Sequence, residues 1–306
     1  MDTEQGWSDY WQSESPGGEV FVDGQGNKHP ALGEFWVATL SQLAEGSRVM
    51  DLASGAGSIY GHLPESHGLL LSAADISPQA LDALNERIAG VSTFVCPADA
   101  VPVDDHSFDL VVSQFGVEYA GVGAFGESAR LVAPGGRFTA LAHIRDGYID
   151  SRNAAELAEA RVVLESRFID LSLALVDAAV SGADDRKQAA EQAFIPAAHT
   201  VAAAIRRCDR GVHKYLFAGF RELFENRNQY DPSDIKHWLE GMRGEVDKAV
   251  ERLAHMRSIA LSADDIDSIL VAFDAAGLVD GHADKFFTPG NDKPVAWQIR
   301  ATRPVS

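Results

Sequence analysis

Apolar positions along this chain recur with two periods, one of short runs and one of helical spacing, and the two alternate. Val49-Met50-Asp51-Leu52-Ala53 and Leu69-Leu70-Leu71-Ser72-Ala73-Ala74 are short apolar runs bounded by turn residues, the mark of buried parallel strands. The first runs into Gly55-Ala56-Gly57 and the second ends on Asp75. A short helix is expected between them, from Ser58 to about Leu63, stopped by Pro64. Ahead of this unit, Pro30 to Ala44 predicts a helix with Leu32, Phe35, Trp36, Leu40 and Leu43 at helical spacing. After it, Ser77-Pro78 opens a helix to about Ile88. Strands are then predicted at Thr93 to Cys96, Phe108 to Ser113 and Phe138 to Ala142, with a helix from Gly123 to Leu131 before the last. Five strands alternating with helices predict one doubly wound α/β sheet.

Past Asp150 the strand pattern stops. Residues 151–260 read as long helices, such as the run AAELAEARVVLESRFIDLSLALVDAAV and the stretch after Asp231-Pro232 with Ile235, Trp238, Leu239, Met242, Val246 and Val250 at helical spacing. This predicts an all-helical insertion, a substrate cover or a dimer surface, with Phe168, Tyr215, Phe217, Phe220 and Phe224 in its core. Ser262-x-x-Asp265 caps a further helix through Phe273, ended by Gly277. Strands Gly281 to Phe287 and Val295 to Arg300 follow as an antiparallel hairpin. The core is therefore expected to comprise 30–150 and 261–306, with a mostly parallel seven-stranded sheet. In the polar segment 1–29, Trp7, Tyr10 and Trp11 fall on one face of a helical turn, as a staple or as a lid.

Composition narrows the partners. The 306 residues are 46% hydrophobic and carry a formal net charge of -19, which argues against nucleic acid and anionic membrane. The only cysteines are Cys96 and Cys208, so no disulfide framework is expected and a cytoplasmic setting is. No apolar run reaches membrane-spanning length and no signal-peptide pattern opens the chain.

In such sheets ligands bind outside the carboxyl ends of the strands. Gly55 and Gly57 let a ligand approach the backbone, and Asp75 can accept from the two hydroxyls of a ribose. Tyr60 stands where a dinucleotide fingerprint needs a third small residue, which weighs against a nicotinamide dehydrogenase.

Asp51-x-Ala53-x-Gly55-x-Gly57, FDLVVSQF from Phe108 and APGGRF from Ala133 together resemble class I S-adenosylmethionine-dependent methyltransferases. The departures are Ala53, where that family usually has glycine, and Ser58 after the last glycine. The resemblance covers about 30–150 and 261–303. It implies that Asp51, Ala53, Gly55 and Gly57 form the S-adenosylmethionine loop and that Asp75 grips the ribose. Ile76 would pack on the adenine, Asp99 would accept from the adenine amino group, and the Ala100 N–H would meet a ring nitrogen. The backbone at Ser113-Gln114 would lie near the methionine part, and the segment with Trp7, Tyr10 and Trp11 would close over the substrate. The implied reaction is methyl transfer to a small molecule, mainly by positioning. Glu118, Tyr119 and His143 are the candidates for a base, and His143 is preferred because histidine titrates near neutral pH; a hydrogen-bonded structural histidine is the alternative. No metal is expected, since the places after the fourth and fifth strands hold Ser113-Gln114 and His143 rather than carboxylates. A second reading is an inactive, methyltransferase-like binding module that works through the insertion; in either reading the insertion could also pair two copies as a homodimer.

Overall fold

The computed structural model describes residues 29–64 and 66–305, so the lid candidates Trp7, Tyr10 and Trp11 lie outside the described residues. The chain divides into two compact units, one of residues up to Asp150 together with Ile259 onward, the other Ser151–Ser258.

The first unit is a seven-stranded sheet in the order β3-β2-β1-β4-β5-β7-β6. Its strands are β1 (Arg48–Leu52), β2 (Leu70–Asp75), β3 (Ser92–Val95), β4 (Phe108–Gln114), β5 (Val132–His143), β6 (Val279–Phe286) and β7 (Ala296–Thr302). The first five run parallel, while β7 is antiparallel to both β5 and β6. Successive strand residues point to opposite faces, and both faces are covered. Val49, Leu110, Val112 and Leu141 join one cluster with Leu32 and Trp36 of α1 (Pro30–Leu40) and Leu81 and Leu84 of α2 (Pro78–Arg87). Met50, Val111, Ala140 and Ala142 join the other with Phe125 of α3 (Ala124–Leu131) and Ile269 and Phe273 of α9 (Ala263–Ala275). The Ser262–Asp265 capping box is formed in both directions.

Three elements differ from expectation. The stretch from Ser58 to Leu63 forms only a 3-10 turn, Tyr60–His62. Six residues before a proline offer too few bonds to offset helix nucleation. Tyr60 instead turns inward, 2% exposed, and donates to Ser72 O at 2.6 Å. The α1 helix stops at Leu40, short of Ala44. β5 starts at Val132, and its pairing with β4 shifts register between Phe108 and Leu110, where Ala133-Pro134-Gly135-Gly136 interrupts the ladder as a bulge.

The second unit is helical: the body of α4 (Tyr148–Glu165), then α5 (Phe168–Ser181), α6 (Asp184–Arg207), α7 (Val212–Glu225) and α8 (Pro232–Ser258). Phe168 and Phe220 are buried in its own core, with Phe194, Phe217 and Phe224 packed against them. Tyr215 corrects the reading of that group, being 65% exposed, because its position on α7 lies off the stripe marked by Leu216 and Phe220.

Ala53 has a positive φ of 50°, a conformation that costs a non-glycine residue about 1–2 kcal/mol. It is accommodated across the β1 and β4 exits by Gly116: a Cβ there would lie 2.6 Å from Ala53 O and 2.7 Å from Ala53 Cβ. Gly116→Ala is therefore expected to lower stability by about 1–3 kcal/mol, read as a fall in the thermal unfolding midpoint.

Candidate functional site

The order of strands reverses between β1 and β4, so a crevice is expected at the carboxyl ends of these strands. The loop leaving β1 is held there from four sides. Ser54 N donates to Ala74 O at 3.1 Å, and Gly55 N donates to Asp75 Oδ2 at 2.8 Å. Arg87 Nη1 donates to Ala56 O at 2.7 Å, and Gln114 Nε2 donates to Ser58 Oγ at 3.0 Å. Gly57 has a φ of +76°, and a Cβ there would come within 2.8 Å of Leu84 Cγ; glycine alone satisfies both conditions.

Asp75 joins the loop to the next helix, since its Oδ1 also accepts from Ser77 N at 2.9 Å. Burial pushes its carboxyl up, against the pull of the amides of Ser77, Gly55 and Ile76. Asp51 is 1% exposed, one strand over, with no partner for its Oδ1. Burial first, and then the neighbouring Asp75 charge, hold it well above the usual carboxylate range. The site thus contains two buried carboxylates whose charges oppose each other and favour a cation.

The other predicted residues fall on the same edge with different surroundings. Ile76 and Ala53 are half-buried, while Asp99 and Ala100 are exposed. The Ala100 N–H, expected to meet a ring nitrogen, is used within its own turn by Pro97 O at 3.2 Å. Ser113 Oγ is committed to the fold, donating to Leu52 O at 2.7 Å and accepting from Val117 N at 3.0 Å. The Gln114 side chain accepts from Trp36 Nε1 at 2.5 Å, so the side-chain polar groups of both residues are engaged within the fold.

At the end of β5 lies His143, whose ring Nδ1 is 2.7 Å from Glu118 Oε1. The same oxygen accepts from His143 N at 2.8 Å. Phe115 packs on the imidazole with ring centres 4.8 Å apart, and Tyr119 meets it edge-on at 5.8 Å. All three base candidates therefore converge. Arg145, two residues on, is turned away, its guanidinium donating to Ala260 O. Burial pushes the Cys96 thiol up to about 11, which leaves little thiolate for nucleophilic chemistry at neutral pH.

Sequence reasoning missed the clamp on the loop that carries Asp99. Arg130 donates to Val101 O, Val103 O and Asp105 Oδ1, and pairs with both oxygens of Glu127. Glu127 in turn accepts from Val101 N at 2.8 Å. The three-residue spacing of Glu127 and Arg130 on a helix was the available signal. Also unforeseen is a cavity of ≈ 270 Å³ within the helical unit, lined by Val176, Val180, Phe224, Arg227 and Ile235 among others; none of the site candidates borders it. Among the described residues no cluster of three or more His, Cys, Asp or Glu is arranged to hold a metal, and no helix is long and apolar enough to cross a membrane.

Residues 50–140 match the family described as "Methyltransferase domain". A ubiquinone/menaquinone biosynthesis C-methyltransferase of Stenotrophomonas maltophilia is 37% identical over 97 residues, 29% of this chain and 38% of that protein. An uncharacterised methyltransferase of Mycobacterium bovis is 35% identical over 104 residues, 34% of this chain and 42% of that protein. The similarity thus spans about two-fifths of these relatives' lengths. A solved S-adenosylmethionine-dependent methyltransferase of Thermotoga maritima overlaps 89% of this chain and 91% of its own at 11% identity. Its TM-score is 0.42.

Two outcomes are expected. Asp51 contributes stability while protonated, below about pH 4, and that contribution is lost as pH rises through its elevated folded value. Asp51→Asn should accordingly match the parent near pH 4 and exceed it by on the order of 1 kcal/mol at pH 7–8, as thermal unfolding across that range would show. Arg130→Met should speed hydrogen exchange at the Val101 and His106 amides by about tenfold, equivalent to about 1.4 kcal/mol.

Proposed function

Given that residues 50–140 carry a methyltransferase domain of the class I S-adenosylmethionine-dependent type, we propose that the chain transfers a methyl group from S-adenosylmethionine to a small molecule without a metal. The observation that carries this reading is the buried pair Asp51 and Asp75 beneath the Gly55–Gly57 loop. Asp75 is positioned by two amides and retains lone pairs for a ribose. Asp51 Oδ1, buried and without a partner, suits the positive end of the cofactor's methionine part. When bound, the cofactor supplies a methyl already activated by its sulfonium.

The protein's own task is then to orient and to exclude water. The four-point anchoring of residues 54–58 supports this, because a loop already fixed has little ordering entropy to lose on binding. Asp99 is the reading's acceptor for the adenine amino group, on a loop kept in place by Arg130. Adenine contact through Ala100 N–H requires that amide to share its bond with Pro97 O. The helical unit is read as a cover for the acceptor or a surface for a second copy, and a cytoplasmic setting fits the two free cysteines.

Calorimetric titration with S-adenosylhomocysteine tests the reading. Binding in the micromolar range is expected, with Asp75→Ala weakening it at least about tenfold, the equivalent of one or more charge-assisted hydrogen bonds. No heat at millimolar ligand, or equal affinity in Asp75→Ala, would remove it.

A further inference from the structure

Resting on the methyl-transfer reading above, we infer that His143 takes the acceptor's proton through Nε2, held in one tautomer by Glu118. The acceptor class that follows is a phenol or an enolisable carbonyl compound, which must lose a proton to react, rather than an arylamine, which is a free base at neutral pH and already carries its lone pair.

The tautomer is set by Glu118 Oε1. That atom accepts the backbone N–H of His143 at 2.8 Å and stands 2.7 Å from Nδ1. A carboxylate oxygen has only lone pairs to offer, so Nδ1 carries the proton and Nε2 is left as the acceptor. Nε2 and the second carboxylate atom, Glu118 Oε2, are both buried with no partner among the described residues. His143 is 1% exposed and Glu118 2%. Polar atoms left in this way cost about 1–3 kcal/mol each, a cost that packing alone does not explain. The plane of the ring is fixed by Phe115 and by the edge of Tyr119. Its place is the last residue of β5, on the carboxyl edge shared with Gly55 and Asp75 and beside the end of β4.

The step balances with groups already named. The acceptor's O–H or C–H bond breaks, its proton passes to Nε2, and its electron pair forms the new bond to the methyl carbon. The electrons of the old carbon–sulfur bond stay on sulfur. Imidazole becomes imidazolium beside the Glu118 carboxylate and later returns the proton to water. In these terms His143 is the catalytic base and Glu118 the positioning residue.

Long-range proton–nitrogen spectra of ¹⁵N-histidine-labelled protein, with His143 assigned through His143→Gln, read the tautomer directly. The expected result is Nδ1–H with an unprotonated Nε2, and a tautomer mixture in Glu118→Gln; an Nε2–H tautomer in the parent protein overturns the inference. Glu118→Gln, nearly isosteric, keeps the test open where His143→Gln fails to fold. S-adenosylhomocysteine titration of all three proteins should agree within about twofold; failure of the parent to bind would remove the methyl-transfer reading itself. Turnover of S-adenosylmethionine is then measured with a panel of substituted phenols, 1,3-diketones and anilines. Reaction is expected with the first two classes, with kcat falling about 100-fold or more in His143→Gln and about tenfold in Glu118→Gln at unchanged cofactor KM. Turnover of anilines alone, or an unchanged kcat in His143→Gln, overturns the inference. Where no panel compound reacts, the tautomer spectra decide.

Discussion

The Asp75 carboxylate is the joint on which the crevice depends. One oxygen holds the amide of Gly55, which leaves β1, and the other holds the amide of Ser77, which opens α2. A strand end, a loop and a helix start are thereby locked to one another by a group that is itself buried and disfavoured as an anion. Remove it and two buried N–H groups lose their acceptor at once, a cost of about 1–3 kcal/mol apiece. The surrounding anchors act in parallel: Arg87 on Ala56 O and Gln114 on Ser58 Oγ restrain the far side of the same loop.

Around that joint the fold tolerates strain. Ala53 sits at positive φ, and the space it needs is provided by Gly116 on the other side of the strand-order reversal. Phe115, also at positive φ, turns the chain sharply after β4, and its ring ends against His143. Such conformations persist only where neighbours over-determine them. Here those neighbours are Ser113 Oγ, bridging Leu52 O and Val117 N, and Leu141 O, which accepts from Phe115 N. Two buried carboxylates, one of them with an unpartnered oxygen, add an electrostatic cost at the same place. Strain and an unpartnered buried carboxyl oxygen thus gather at one sheet edge, a combination that functional sites collect.

Much of the core was legible in the chain. Strand positions for β1, β2 and β4 follow from short apolar runs, since strands covered on both faces are mostly apolar; β3 lies at the sheet edge, with Val95 58% exposed. The interval from Ser58 to Leu63 was misread because the apolar pattern is short there and Tyr60 has two roles open to it. As a helix residue it would block close packing, whereas folded inward it hydrogen-bonds Ser72 O between the strands. The helical unit was legible in kind but not in detail: Phe168 and Phe220 are core, Tyr215 on the same helix as Phe220 is not. Ala100 shows a different limit, since its amide is taken by a local turn that residue type cannot reveal.

The chain alone determined the alternation of strands and helices, the glycine turn and the carboxylate one strand over, because each is expressed by residues within a few positions of one another. Tertiary structure alone decided the pairings that cross the sheet: His143 with Glu118, Trp36 with Gln114, Gly116 against Ala53, and Arg130 gathering the loop from Val101 to Asp105. Those contacts join residues from 25 to 78 positions apart, and at such separations only the order and register of the strands fix which side chains meet.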